Sequence, residues 1–202
     1  MKDKLPKTLE EALIMLINNK QYNNLNEKKM LRKGMLTPHI SIKECYYSYK
    51  AKRLGIDNRP SKAQFTKLKK LGLLLFEPIR DNFGVMIKIN SMYRCLFLNI
   101  KVGGSYRSQH VKCEAMDIDD TYGRVTNSEM FYFVVENLDF DQLIWEFGDI
   151  DNPSWIHISS KVDNTKDNRH MLLISYIEND EKKYKSFKSI ESFNNFKYKL
   201  YA

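Results

Sequence analysis

The sequence predicts an α+β fold, with amino-terminal helices packed on a small, mainly antiparallel sheet. Three observations lead there. Helix-period apolar spacing dominates the chain up to Gly84. β-type runs dominate after it. The clearest neighbouring runs are separated by short turn signatures, which join antiparallel strands. The 202-residue length suits one main domain with a small appendage, and 43% apolar with 29% charged residues suits a packed core. Eight glycines and five prolines exclude a collagen-like or low-complexity chain. The apolar runs, such as residues 71–76, are too short to span a bilayer.

Residues 8–18 read as a short helix. Thr8 caps it, Glu11 completes a capping box, and Leu9, Leu13, Leu16 and Ile17 share a face. A second helix is expected around 26–32. Residues 41–54 read as a helix closed by Gly55. Over 61–82, Phe65, Leu68, Leu75 and Ile79 keep helical spacing, with Pro78 bending the helix or starting a new one and Gly84 ending it. Strands follow at 85–89 and 115–118, then a helix at 128–137. Runs 140–147 and 155–159, joined by the turn 148–153, form a hairpin. Runs 171–177 and 183–187, closed by 178–182, form another. Ile190, Phe193, Lys197 and Leu200 suggest a last short helix. The expected division is a basic helical appendage at 1–37, the main domain at 38–177 and a packed carboxy-terminal extension at 178–202.

The net charge of +8 is uneven. Residues 1–75 hold 17 Lys/Arg and 6 Asp/Glu, while the rest is net −3. A basic field draws polyanions such as nucleic acid, anionic lipid or anionic wall polymers, although Lys-rich solubility explains it equally. Cys45, Cys95 and Cys113 are odd in number and widely spaced, so no disulfide framework and no CxxC metal site is expected. The first residues lack the apolar core of a secretion signal, which predicts synthesis in the cytoplasm.

The chemistry concentrates around two of the four histidines. His110 ends the polar stretch from Ser105 to His110, after Gly103-Gly104. Seven residues later Asp117 interrupts an apolar run, and His157 lies mid-strand in Trp155-Ile156-His157-Ile158. A carboxylate in a half-buried strand needs a cation or donors. Two imidazoles and one carboxylate make a zinc ligand set with a fourth position open for water, as in catalytic sites. The residues alone also allow a salt-bridged Asp117 and satisfied core histidines. A turn centred near 150–151 puts Glu146 opposite Trp155, on the face of His157, where a carboxylate can act as a proton carrier; a surface Glu fits the same geometry. Asp149 and Asp151 are fallback bases. His39 and His170 read as structural or exposed.

Ser108-Gln109-His110, the run Cys113-Glu114-Ala115-Met116-Asp117 and Trp155-Ile156-His157 resemble, in order, the Ser-x-His, Gly-x-Ala-x-Asp and Trp-x-His motifs of the zinc D-alanyl-D-alanine carboxypeptidase family. That family comprises peptidoglycan peptidases, phage endolysins among them, and shares its fold with the hedgehog signalling domain. Ser91-Met92-Tyr93-Arg94 is similar to the family's Ser-Gly-Tyr-Arg, and Pro78-Ile79-Arg80, Leu98-Asn99 and the run from Phe140 to Ile144 also fit. The resemblance implies zinc held by His110, Asp117 and His157, with Arg94 gripping a substrate carboxylate or the scissile carbonyl. It places Ser108 against His110 or the substrate, and Glu146 as base. It implies hydrolysis of a D-Ala-D-Ala or L-Ala-D-Glu type bond of a peptidoglycan stem peptide; with no secretion signal, such wall-directed chemistry fits a phage lysis enzyme, or equally a virion component with virion partners. Cys113 and Met92 replace family glycines, and Cys95 replaces a serine. A cysteine is strained if its position needs φ > 0. The alternative expectation is a catalytically weakened virion structural or binding module. Nucleic-acid binding, resting only on the basic third, is the weakest expectation.

Overall fold

The computed structural model describes residues 25–201; the helix expected at 8–18 lies outside them. The architecture is α+β, as expected. Two compact units make up the described chain: residues 25–73 with Ser91–Glu114, and 74–90 with 115–201.

The first unit begins with α1 (Leu25–Arg32), close to the expected helix. Leu31, Leu36, Ile40 and Ile42 are fully buried, and Met35 bridges Ser41. The helix expected over 41–54 shrinks to α2 (Tyr49–Arg53). Ser41 Oγ accepts from the Glu44 amide, and Glu44 Oε2 from the Ser41 amide, which closes a separate turn. Ser48 is extended (φ −146°), and its hydroxyl accepts from the Ala51 amide. Such local serine bonds compete with a continuous helix. Ser61 and Gln64 form a capping box for α3 (Lys62–Leu71), which buries Phe65, Leu68 and Leu71. After Tyr93 and Arg94 comes α5 (Leu96–Lys101).

The helix expected over 61–82 is interrupted. A π-helical stretch (Gly72–Phe76) separates α3 from α4 (Glu77–Phe83), and Gly84 ends α4 with φ +65°. Pro78 sits in the first turn of α4, where its missing N–H costs no helical bond; the widened turn lies just before it.

The second unit is built on one sheet of order β1-β2-β4-β3-β5-β6. Its strands are β1 (Lys88–Ser91), β2 (Ala115–Asp119), β3 (Gln142–Glu146), β4 (Trp155–Ser159), β5 (Met171–Glu178) and β6 (Glu181–Phe187). β1 starts three residues later than expected, leaving Met86 exposed. β4 pairs antiparallel with β2 and β3, and β5 with β6, while β3 and β5 are parallel. The second hairpin turns at Asn179 and Asp180, both at positive φ (54° and 62°), the conformation that suits a two-residue hairpin loop. Between β2 and β3 runs α6 (Asn127–Asn137), capped by Thr126, and α7 (Ile190–Tyr201) closes the chain.

Alternation along the strands gives the sheet two different faces. One carries Met116, Ile118, Leu143, Trp145, Ile156, Ile158 and Ile174, all fully buried. Phe131 of α6 meets Trp145 edge-on at 5.4 Å and stacks on Phe193 of α7 at 4.9 Å. The other face carries Asp117, His157 and Glu146.

Candidate active site

Register assembles the polar face of the sheet. Asp117 lies opposite His157, and His157 opposite Ile144. Glu146 lies opposite Trp155 on β4, the register expected from the turn, and opposite Ser175 on β5. Asp117 and His157 are each 8% exposed, and His157 Nδ1 is 2.9 Å from Asp117 Oδ1. A carboxylate can only accept, so Nδ1 carries the proton in this contact. Glu146 is buried as well; its Oε2 accepts from the Ser175 hydroxyl at 2.6 Å and from Lys182 Nζ at 3.2 Å.

In the first unit, Asn58 stitches the segment that bears Arg94. Its amide nitrogen donates to the carbonyls of Tyr46 and Tyr93, and its Oδ1 accepts from the Cys95 amide. The Arg94 guanidinium then reaches Ser91 Oγ (2.8 Å), Asn99 Oδ1 (3.3 Å) and His110 Nε2 (3.0 Å). Asn99 is fully buried and donates to the Ser105 carbonyl at 2.7 Å. Gly104 makes this possible, because a Cβ there would sit 2.5 Å from Asn99 Oδ1.

His110 Nδ1 lies 2.7 Å from the Met92 carbonyl oxygen. A carbonyl only accepts, so Nδ1 bears the proton and Nε2 presents its lone pair. This is the neutral tautomer that a metal ligand needs, set by a backbone group. Ser108 is half-buried at the start of the turn that leads to His110; its carbonyl accepts from the Val111 amide.

The departures from the motif resolve in three ways. Met92 is not among the positive-φ residues and has no need of glycine. Cys95 caps α5, its Sγ accepting from the Leu98 amide at 3.5 Å, the task a serine would perform. Cys113 takes φ +62° while fully buried, so the strain expected there is present. Asp149 Oδ1 accepts from the amides of Asp151 and Asn152, which makes it part of the β3–β4 turn. His39 is exposed, and His170 pairs with Asp139 at 2.8 Å. The contacts of Ser91, Asn99, Ser175 and Lys182 had no signal in the residues alone. Leu98-Asn99 before Gly103-Gly104 was the nearest hint.

His110, Asp117 and His157 form a buried group whose ligand atoms all lie within 4.8 Å of one another. Two imidazoles, one with its tautomer preset, and one carboxylate are a donor set that fits a divalent metal. Such a donor set defines a candidate metal-binding centre, with Asp117 and His157 on adjacent strands and His110 outside the sheet. The family model described as Peptidase M15 matches residues 38–159, and the chain belongs to that family of peptidases. Its members are metal-dependent, and the family implies a peptidoglycan-type substrate. No curated protein matches the chain. No helix among the described residues is long and apolar enough to cross a membrane.

Proposed function

We propose that the protein is a zinc-dependent peptidase that hydrolyses a D-Ala-D-Ala or L-Ala-D-Glu type bond of bacterial peptidoglycan, as a phage lysis enzyme or a virion-associated enzyme. The observation that carries this proposal is the buried His110–Asp117–His157 group with the His110 tautomer preset. His110, Asp117 and His157 would hold the zinc, which would supply a Lewis acid and bring the pKa of a water towards ~7. The peptidase domain of this proposal spans 38–177, between the basic appendage 1–37 and the extension 178–202. The enzyme is made in the host cytoplasm and acts at the wall or is packaged in a virion.

Glu146 and Arg94 take their roles from their hydrogen-bond partners. Glu146 Oε1 makes no hydrogen bond to any described residue, while Oε2 is held twice. Oε1 is thus the atom that takes a proton from the attacking water and hands it to the leaving amine. Arg94 offers a planar fork whose orientation Ser91 and Asn99 fix. Arg94 Nη2 lies beside the His110 ring, where the fork would also reach a substrate oxygen. The substrate carboxylate or scissile carbonyl oxygen suits that fork, and a guanidinium also stabilises the charge that develops there. Ser108 buttresses His110 or contacts the substrate.

Digestion of purified peptidoglycan, with mass analysis of the fragments, tests the proposal. Fragments that name one cleaved bond and vanish with chelator are expected; no fragments from zinc-loaded protein would overturn it. One observation favours a second reading, a weakened virion structural or binding module: the strained Cys113 four residues before Asp117. Zinc binding and wall binding without fragments would identify that module.

A further inference from the structure

The β5–β6 hairpin lies beyond the residues that the family model matches, yet it supplies both side-chain hydrogen-bond donors to the Glu146 carboxylate. Glu146 and Ser175 are direct partners in the parallel β3–β5 pairing, so the Ser175 hydroxyl reaches Oε2 from the adjacent strand. Lys182 is the second residue of the return strand, paired with Ile177 next to the turn. Its ammonium is packed 4.7 Å from the ring centroids of both Phe147 and Tyr184, which holds it in place over the carboxylate. Both donors bind the same oxygen.

We propose that Ser175 and Lys182 are positioning residues that clamp Glu146 Oε2, so that Oε1 alone faces the reaction. This inference rests on the peptidase proposal and adds to it a device contributed by the hairpin. A carboxylate free to rotate about its terminal torsion would offer either oxygen in many orientations. Two donors on one oxygen remove that freedom before substrate binds, which is preorganisation of the kind outer-shell bonds provide. Burial by itself would lower the Lys182 ammonium, but its bond to Tyr184 and the charge of Glu146 outweigh that and raise it, so it stays a cation at neutral pH.

The test uses the full chain with Lys182→Met, Lys182→Arg and Ser175→Ala. For the zinc-loaded enzyme on peptidoglycan fragments, Lys182→Met and Ser175→Ala are each expected to lower kcat roughly 10- to 100-fold with KM unchanged, and Lys182→Arg to restore most of it. In metal-free protein, the Lys182 ammonium is expected to give a slowly exchanging nitrogen-detected NMR signal that Glu146→Gln abolishes. A kcat unchanged in both Lys182→Met and Ser175→Ala overturns the proposal, as does an ammonium signal indifferent to Glu146→Gln. Absence of hydrolysis by the parent enzyme brings down the peptidase proposal and the clamp's catalytic role with it. That failure is separable, because the ammonium signal is read without metal or substrate.

Discussion

At Cys113 the backbone sits in the left-handed region with the side chain fully buried, which costs a residue with a Cβ roughly 1–2 kcal/mol. Cys113→Ala and Cys113→Gly both delete the thiol, but only glycine relieves the strain. The glycine variant is expected to be the more stable of the two by about 1 kcal/mol, the reverse of the usual order, read from urea midpoints. The proposed ligands and base separate in a second experiment. His110→Ala and Asp117→Ala should lose zinc by elemental analysis, where the parent protein holds about one ion per chain. Glu146→Gln should keep the ion and lose roughly 10²- to 10⁴-fold in turnover. Full wall-degrading activity in Glu146→Gln would remove Glu146 from the mechanism. At this scale the residues announced themselves through chemistry out of place: an acid in an apolar run, a histidine in mid-strand. Their hydrogen-bond partners did not, because Asn99, Ser175 and Lys182 are ordinary polar residues until the fold sets them beside Arg94 and Glu146.

The elements that matter most are those whose ends deliver a side chain. The β3–β4 turn carries Glu146 on one strand and His157 on the other. Gly148 in that turn has φ +79°, and a Cβ there would lie 2.2 Å from the Asn152 carbonyl oxygen. Gly148→Ala is therefore expected to destabilise the protein by more than about 1 kcal/mol and to lower its thermal midpoint. An unchanged midpoint would show that the turn can move without cost. Elements with sharp local signals were legible in the sequence. The helix capped by Thr126 and the strand Trp155–Ser159 came out within a residue of their ends. The long helix expected over 41–54 was not, because Ser41 and Ser48 bond locally and divide it. The π-helical stretch was foreshadowed only by Pro78.

Over the whole molecule, one consequence of burial is a stability that depends on alkaline pH. Burial pushes the Cys113 thiol and the Tyr93 phenol each up to about 12, and pushes the Cys45 thiol up as well. A group that holds its proton more tightly in the folded chain stabilises the fold in full below its ordinary pKa. That contribution drains away as pH climbs to the folded value. For these groups the window opens near pH 9 for the thiols and near pH 10 for the phenol, and reaches about 12 for Cys113 and Tyr93. Each group contributes up to about 1.4 kcal/mol per pH unit within its window. Urea midpoints are expected to fall steadily from pH 9 to 11, and less steeply in Cys113→Ala; a flat profile would contradict the burial. Zinc acts in the opposite direction: binding only the folded chain, it should raise stability by about 2.7 kcal/mol at a hundred times its Kd. His110→Ala should abolish that thermal shift.

The sequence by itself determined the α+β class and the order of the strands along the chain, and it singled out two histidines and an aspartate as candidate metal ligands. Those properties are local: periodicity, turn chemistry and donor type are written within a few residues. Only the tertiary structure decided that β5 runs parallel to β3, that Met92 sets the tautomer of His110, and that Ser175 and Lys182 hold Glu146. Those contacts join residues 18 to 36 positions apart, and no local pattern encodes a hydrogen bond closed across such a distance.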